Sequence, residues 1–347
     1  MLMDEAEAMA HAVELAAGVR SRTSPNPWVG AVLLDANGHV VGVGATEPAG
    51  GAHAEVIAIA AAGAAAAGAT LVVTLEPCSH HGRTPPCVDA IVAAGIARVV
   101  AGVNDPDRRV AGRGVTALRA AGVTVEVGLL GDQVTAQLEP YLHHRRTGRP
   151  YVVCKLAATL DGGIAAPDGS SQWITGQEAR TDVHRLRAES DAIVVGAGTV
   201  RADDPSLTVR HVEGTDPLRV VLGRAPAAAR VHPCFEWTGD IRALLDELGR
   251  RDIVQVMIEG GSTVVRSFHD DDLIDRYVIY IAPALLAGSD MVPLLAGPTA
   301  PSIDAMWRGR FVDVLRLGDD LRLDLIPHTR SATMATNQSS SHDEGDR

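Results

Sequence analysis

Apolar residues recur every three or four positions over residues 4–19, a spacing that predicts an amphipathic helix. Apolar runs over 28–34 and 40–45, separated by Asp-Ala-Asn-Gly-His, predict two strands joined by a turn. The pattern then alternates: helix over 54–67, strand over 70–75, helix over 87–94, strand over 98–103, helix over 114–121 and strand over 124–127. Such alternation predicts a sheet with helices on its faces. The first domain is expected over 1–142. The stretch "HHRRTGRP", residues 143–150, is polar and basic with Gly and Pro, and reads as a linker. A second α/β domain opens with the strand "YVVCKLAAT" and runs over 151–328. Residues 329–347 lack periodicity and bulky apolar groups and read as a disordered tail. No internal repeat is evident.

Composition narrows the class. A length of 347 residues suits two domains, and 46% hydrophobic residues with only 3% aromatic implies cores built from Ala, Val, Leu and Ile. A net charge of −12 disfavours nucleic acid and anionic membrane as partners. Four cysteines in so long a chain are no disulfide framework. The N-terminal "MLMDEAEAMAHAVELA" is acidic where a signal peptide is basic, and no apolar stretch is long enough to span a bilayer. A cytoplasmic protein is expected. Of 31 basic residues only Lys155 is lysine, either the chance survivor of an arginine bias or a position that uses a compact, titratable ammonium.

Two segments carry chemistry. "HAEVIAIAAA" places His53 and Glu55 at the mouth of a helix, and "TLEPCSHHGRTPPC" places Cys78 after a strand and Cys87 at the start of another helix. Thiolates are favoured at helix N-termini. One His and two Cys make three zinc ligands and leave a fourth position for water, the arrangement of catalytic rather than closed structural sites. Glu55, too close to His53 to be superfluous, can carry protons between that water and a leaving amine. The pattern is that of nucleobase deaminases, H-x-E followed by Pro-Cys pairs, with a longer spacing between the cysteines. A closed structural site would need a fourth ligand such as His80 or His81.

At this level the chain resembles a known family. "TSPNPWVGAV", "GGAHAEV", "LEPCSHHGRTPPC" and "NDPDRRVAGRG" are similar to the deaminase half of the bifunctional riboflavin biosynthesis deaminase–reductases. "KLAATLDGGIA", "SQWITGQEAR", "LRAESDAIVVGAGTVRADDPSLTVR" and "IEGGSTVVRSF" are similar to the reductase half, in family order. The resemblance implies a cytidine-deaminase-like αβα sandwich followed by a dihydrofolate-reductase-like α/β domain. It implies zinc-dependent deamination of a diaminopyrimidine bearing a phosphoribosylamino chain, then NADPH-dependent reduction of the ribosyl group to ribityl. It further implies that Asn26 contacts the pyrimidine and that Arg83 and Asp105 hold the ribose phosphate arm. Ala157, Trp173, Thr199, Asp203, Gly261, Ser262 and Thr263 would contact NADPH. Ser171, Arg187, Leu207, Arg210 and Glu259 would contact the phosphorylated pyrimidine. A homo-oligomer is implied as well. Two departures stand out. Asp107 occupies a position where the family usually has asparagine, placing a carboxylate near a phosphate. The stretch between Arg210 and Glu259 is shorter than usual, with an element expected to be missing around "VHPCFEWTG".

Read without the family, "DAIVVGAGTVRADDP" and "DIVQVMIEGGSTVVRSF" are strand–glycine–helix turns whose backbone N–H groups can cradle a pyrophosphate. Neither is a full G-x-G-x-x-G, since Arg201 stands where a third glycine would be. Trp173 can cover a nicotinamide or fill the core. Lys155 can donate to a ribosyl oxygen as charge develops on it. Other readings are a deaminase whose second domain binds without reducing, an editor of nucleic-acid bases, and a zinc-stabilised binding module. The acidic charge counts against the second.

Overall fold

The computed structural model describes residues 1–82 and 84–328. Arg83 and the expected tail, 329–347, lie outside the described residues. By contacts the chain divides into two units, one of Met1–Pro150 with Leu245–Val254, the other of Tyr151–Leu244 with Gln255 onward.

In the first unit, Asp4 caps α1 (Glu5–Ala17) through a reciprocal capping box with Glu7. After the single turn α2 (Arg20–Thr23) come β1 (Gly30–Leu34), β2 (Val40–Ala45), α3 (Ala54–Ala62), β3 (Thr70–Leu75), α4 (Cys87–Ala93), β4 (Arg98–Val103), α5 (Arg113–Ala120), β5 (Thr124–Val127) and α6 (Gly131–Thr147). The expected helix over 54–67 instead ends at Gly63 and tightens into a 3₁₀ turn, Gly63–Ala66. The sheet order is β2-β1-β3-β4-β5, antiparallel through β1 and parallel from β3 to β5. Helix α3 lies very close to β2. A Cβ on Gly42 or Gly44 would sit 2.2 Å from the carbonyl oxygens of Ala58 and Ala54 respectively. The "VVGVGA" strand and the alanine-rich helix are therefore complementary surfaces, and their contact fixes the α3 N-terminus that carries His53.

The expectation of a linker over 143–150 is corrected. Residues 143–147 are the end of α6, which buries Leu138, Tyr141, Leu142 and His144. Its charged composition hid this face. Gly148, with φ 74°, is the left-handed C-cap, and Pro150 follows it, so the Gly and Pro are a helix stop.

The second unit contains β6 (Tyr151–Thr159), β7 (Gly163–Ala165), α7 (Gln177–Ala188), β8 (Ala192–Gly196), α8 (Ala197–Asp203), β9 (Leu218–Leu222) and β10 (Phe235–Trp237). It continues with α9 (Ile241–Arg250), whose later residues group with the first unit, then β11 (Gln255–Ile258), α10 (Ser262–Asp270), β12 (Arg276–Ala282), β13 (Val292–Pro293), β14 (Gly309–Leu317) and β15 (Asp320–Pro327). The main sheet runs β10-β9-β8-β11-β6-β12-β15-β14, parallel as far as β12, with β7 and β13 forming a separate pair. The segment expected to lack an element does hold a strand, the three-residue β10. Val153, Ile193, Val195, Met257 and Val278 belong to a mostly aliphatic core that also buries Tyr151 and Tyr280. Among the described residues no helix is long and apolar enough to cross a membrane.

Candidate active sites

His53 is the N-cap residue of α3, but its side chain makes no capping bond, and its ring turns toward the cysteines. Its Nδ1 lies 3.1 Å from Cys87 Sγ and 3.6 Å from Cys78 Sγ. Three ligands around one tetrahedral zinc would place nitrogen and sulfur roughly 3.6 Å apart, given bonds of about 2.0–2.3 Å. The three donor atoms all fall within 4.8 Å of one another. Cys87 opens α4 and is fully buried; its backbone N–H points at Cys78 Sγ, 3.3 Å away, and Val88 N–H bonds the Cys78 carbonyl. The hydrogen bond from Cys87, with His53 nearby, lowers the Cys78 thiol to about 4, whereas the same coupling and burial push Cys87 upward. The Cys78 bond also raises His53. The donors and spacing fit zinc. His80 borders the same cavity but is outside the ligand group, so a closed four-ligand site is not formed among the described residues.

Glu55, in the first turn of α3, is 4% exposed, and burial raises its carboxyl. It borders a cavity of about 240 Å³ whose lining also includes Asn26, Asp105, Asp107, Tyr141 and Arg145. Asp105 accepts from the Tyr141 hydroxyl at 3.0 Å, and burial raises it to about 6. Asp107 is held bidentately by Arg109, which keeps it at about 2 against burial.

Glu76 was not anticipated. Its buried carboxylate accepts four backbone N–H bonds, from Asp105, Gly112, Gly114 and Val115. It thereby ties the loop carrying Asp105 and Asp107 to the segment between the end of β3 and Cys78. Gly114 must be glycine, because a Cβ there would meet Pro77 O at 2.0 Å. The signal in the sequence was the acid in "LEPC", a buried charge beside the cysteine.

In the second unit Lys155 Nζ on β6 lies 3.7 Å from Glu259 at the end of β11, and Glu259 accepts two bonds from Arg187 of α7, at 2.7 and 3.0 Å. Burial alone would raise Glu259, but Arg187 and Lys155 outweigh it and hold the carboxyl at about 2. Burial lowers Lys155, which Glu259 opposes. Leu207 is buried with φ 52°, in a loop whose Thr208 carbonyl accepts from Arg187. Arg210 donates to Ser206 and Thr208 in the same loop. Gly196 and Gly261 cap α8 and α10 with no side-chain cap, so the first-turn N–H groups remain open to an anionic ligand. A Cβ on Gly261 would lie 3.5 Å from Thr199, so the two helix starts are neighbours. Ser262 and Thr263 begin α10, Asp203 ends α8, and Ala157 lies on β6. Ser171 and Trp173 sit on a separate loop. Trp173 is 70% exposed beneath the Arg180 guanidinium at 4.8 Å, which rules out the core-filling reading.

Residues 3–103 match the cytidine and deoxycytidylate deaminase zinc-binding region, and residues 150–323 match the RibD C-terminal domain. The riboflavin biosynthesis protein RibD of Mycobacterium tuberculosis is 46% identical, covering 92% of this chain and 96% of its own. That of Escherichia coli is 39% identical, covering 92% and 98%. Among solved structures, RibD of Acinetobacter baumannii has a TM-score of 0.87 at 38% identity, covering 93% of this chain and 98% of its own. A Thermotoga maritima diaminohydroxyphosphoribosylaminopyrimidine deaminase/5-amino-6-(5-phosphoribosylamino)uracil reductase has a TM-score of 0.84 at 34% identity, with the same coverage.

Proposed function

The chain belongs to the RibD family and is a bifunctional deaminase–reductase of riboflavin biosynthesis, and from that premise we propose how its own residues divide the two reactions. Deamination belongs to residues 1–142 and reduction to 151–328. The observation that carries the first is the His53, Cys78, Cys87 triad with Glu55 buried beside it.

His53, Cys78 and Cys87 would hold zinc, which when bound would supply a water acidic enough to act as a nucleophile at neutral pH. Glu55, its carboxyl raised by burial, takes a proton from the attacking water and delivers it to the departing amine. Asn26 and Asp105 orient the pyrimidine and its ribose, and Arg83 contributes to holding the phosphate arm. Glu76 holds the Asp105 loop in register.

In the second reaction NADPH supplies hydride. Ala157, Trp173, Thr199, Asp203, Gly261, Ser262 and Thr263 hold the dinucleotide, its phosphates taken by the uncapped start of α10. Ser171, Arg187, Leu207, Arg210 and Glu259 hold the ribosyl substrate. Lys155 donates to the ribosyl oxygen, its charge maintained by Glu259. The substrate of both sites is a phosphorylated small molecule rather than nucleic acid, in keeping with the net charge of −12. The four free cysteines suit a reducing cytoplasm. Edge strand β14 exposes apolar side chains, Phe311 at 55% and Val314 at 56%, and a second copy of the chain is the partner that covers them.

The test is to assay the two reactions separately on the full-length protein. Zinc-containing protein should release ammonia from the phosphorylated diaminopyrimidine and, given the deaminated product, oxidise NADPH. Ammonia release without NADPH oxidation would favour a second domain that binds but does not reduce.

A further inference from the structure

Arg145 lies on α6, in the stretch that reads as a linker, yet its side chain is 17% exposed and borders the deaminase cavity. Its guanidinium stacks on the Tyr141 ring at 5.0 Å. Nη2 donates to the carbonyl of Pro25, at 3.2 Å, in the turn that carries Asn26. Nε lies 3.8 Å from Asp107 and has no hydrogen-bond partner among the described residues. A buried guanidinium N–H left unpaired is costly unless an acceptor arrives.

The charges around it explain why one is needed. The described lining includes five carboxylates, Glu55, Glu76, Asp105, Asp107 and Asp252, against two guanidinium groups, Arg109 and Arg145. Asp107 takes up Arg109 bidentately. Arg145, whose Nη2 is taken by the Pro25 carbonyl and whose contact to Asp107 is long, keeps a buried Nε without a hydrogen-bond partner and is, in the described lining, the cation left to meet an anion. A substrate carrying a phosphate would otherwise enter a cavity of its own sign.

We propose that Arg145 is a specificity-determining residue of the deaminase pocket, supplying the positive charge that lets a cavity walled by Asp107 accept a phosphorylated substrate. This inference rests on the deaminase reading above. It makes Asp107 and Arg145 a compensating pair, 3.8 Å apart, in a described lining whose five carboxylates already outnumber its two guanidinium groups. Removing Arg145 deepens that excess of negative charge by one, and removing Asp107 as well returns it to its starting value. Tyr141 links Arg145 to the neighbouring Asp105, through its ring toward Arg145 and its hydroxyl toward Asp105.

The experiment compares Arg145→Met, Arg145→Lys, Asp107→Asn and the Arg145→Met/Asp107→Asn double variant as full-length, zinc-loaded proteins. Each is assayed for deamination of the phosphorylated substrate and of the same compound lacking its phosphate. Arg145→Met should lower kcat/KM for the phosphorylated substrate by about 10- to 100-fold, the value of one charge-assisted contact, chiefly through KM. The dephosphorylated compound should change by less than about threefold. Arg145→Lys should keep most of the preference, and the double variant should regain at least about tenfold of the loss. Equal losses on both compounds would mean that Arg145 only braces the Pro25 turn, and an unchanged KM would mean that it does not meet the phosphate; either overturns the proposal, as does failure of Asp107→Asn to rescue. Zinc content and the unfolding midpoint show whether each variant is intact. A zinc-loaded wild type that deaminates neither compound would instead overturn the deaminase reading.

Discussion

Replacing Glu259 by Gln tests the buried cluster of the reductase unit. The carboxylate is 14% exposed and lies between Arg187 and Lys155, whose side chains are 11% and 16% exposed. Holding it at about 2 rather than its ordinary 4.5 corresponds to roughly 3 kcal/mol of stability. Because the folded value is depressed, that contribution is complete above the unfolded value of 4.5 and is lost as pH falls toward 2. Glu259→Gln should therefore destabilise the protein by about 3–5 kcal/mol at pH 7, since two buried cations lose their counter-charge. It should also flatten the acid-side fall in stability that wild type shows between pH 5 and 2. The same change reaches catalysis through Lys155. At 3.7 Å, in an effective dielectric near 20, the carboxylate favours the ammonium by roughly 4 kcal/mol. Allowing for screening, its loss should move the alkaline limb of reductase kcat down by about 1 to 3 pH units. Urea unfolding at several pH values and NADPH oxidation with saturating deaminated substrate measure the two effects. A stability change below about 1 kcal/mol, or an alkaline limb that stays in place, would refute this account of Glu259.

Glu55→Gln should retain zinc and lose deamination by about 10²- to 10⁴-fold, while Cys78→Ser should lose both, as metal analysis beside an ammonia assay would reveal. Gly44→Ala should cost about 1–3 kcal/mol and weaken zinc retention, because its methyl group would sit 2.2 Å from Ala54 O and push α3, with His53, off the sheet; urea unfolding and dialysis against a chelator read the two effects. Phe311→Arg with Val314→Arg should shift the protein toward monomer in sedimentation if β14 is the face a second copy covers. Lys155→Arg should slow NADPH oxidation at nearly unchanged stability, since the charge stays but the compact ammonium is lost.

The candidate metal cluster was legible in the sequence because its residues stand at the ends of elements that local pattern already marks. His53 and Glu55 open a helix, and Cys78 and Cys87 bracket the path from a strand to the next helix; the packing of α3 on the sheet then brings the three donor atoms within 4.8 Å of one another. The first strand of the second unit was equally plain, a nine-residue apolar run after a helix stop. What local pattern could not give depends on packing between distant segments. Helix α6 carries so many charges that its buried face shows only once the first sheet is there to cover it. Arg187 and Glu259 stand 72 residues apart, and only the parallel placing of β6, β8 and β11 brings them to Lys155. Glu76 gains its role only when the loop after β4 folds back to present four N–H groups to one carboxylate. The identity of Asp107 could be read directly, and so could the conflict between a carboxylate and a phosphate. The pairing of Asp107 with Arg109 and Arg145 could not, because opposite charges compensate across a few ångströms of folded space, a distance the spacing of residues along the chain does not encode.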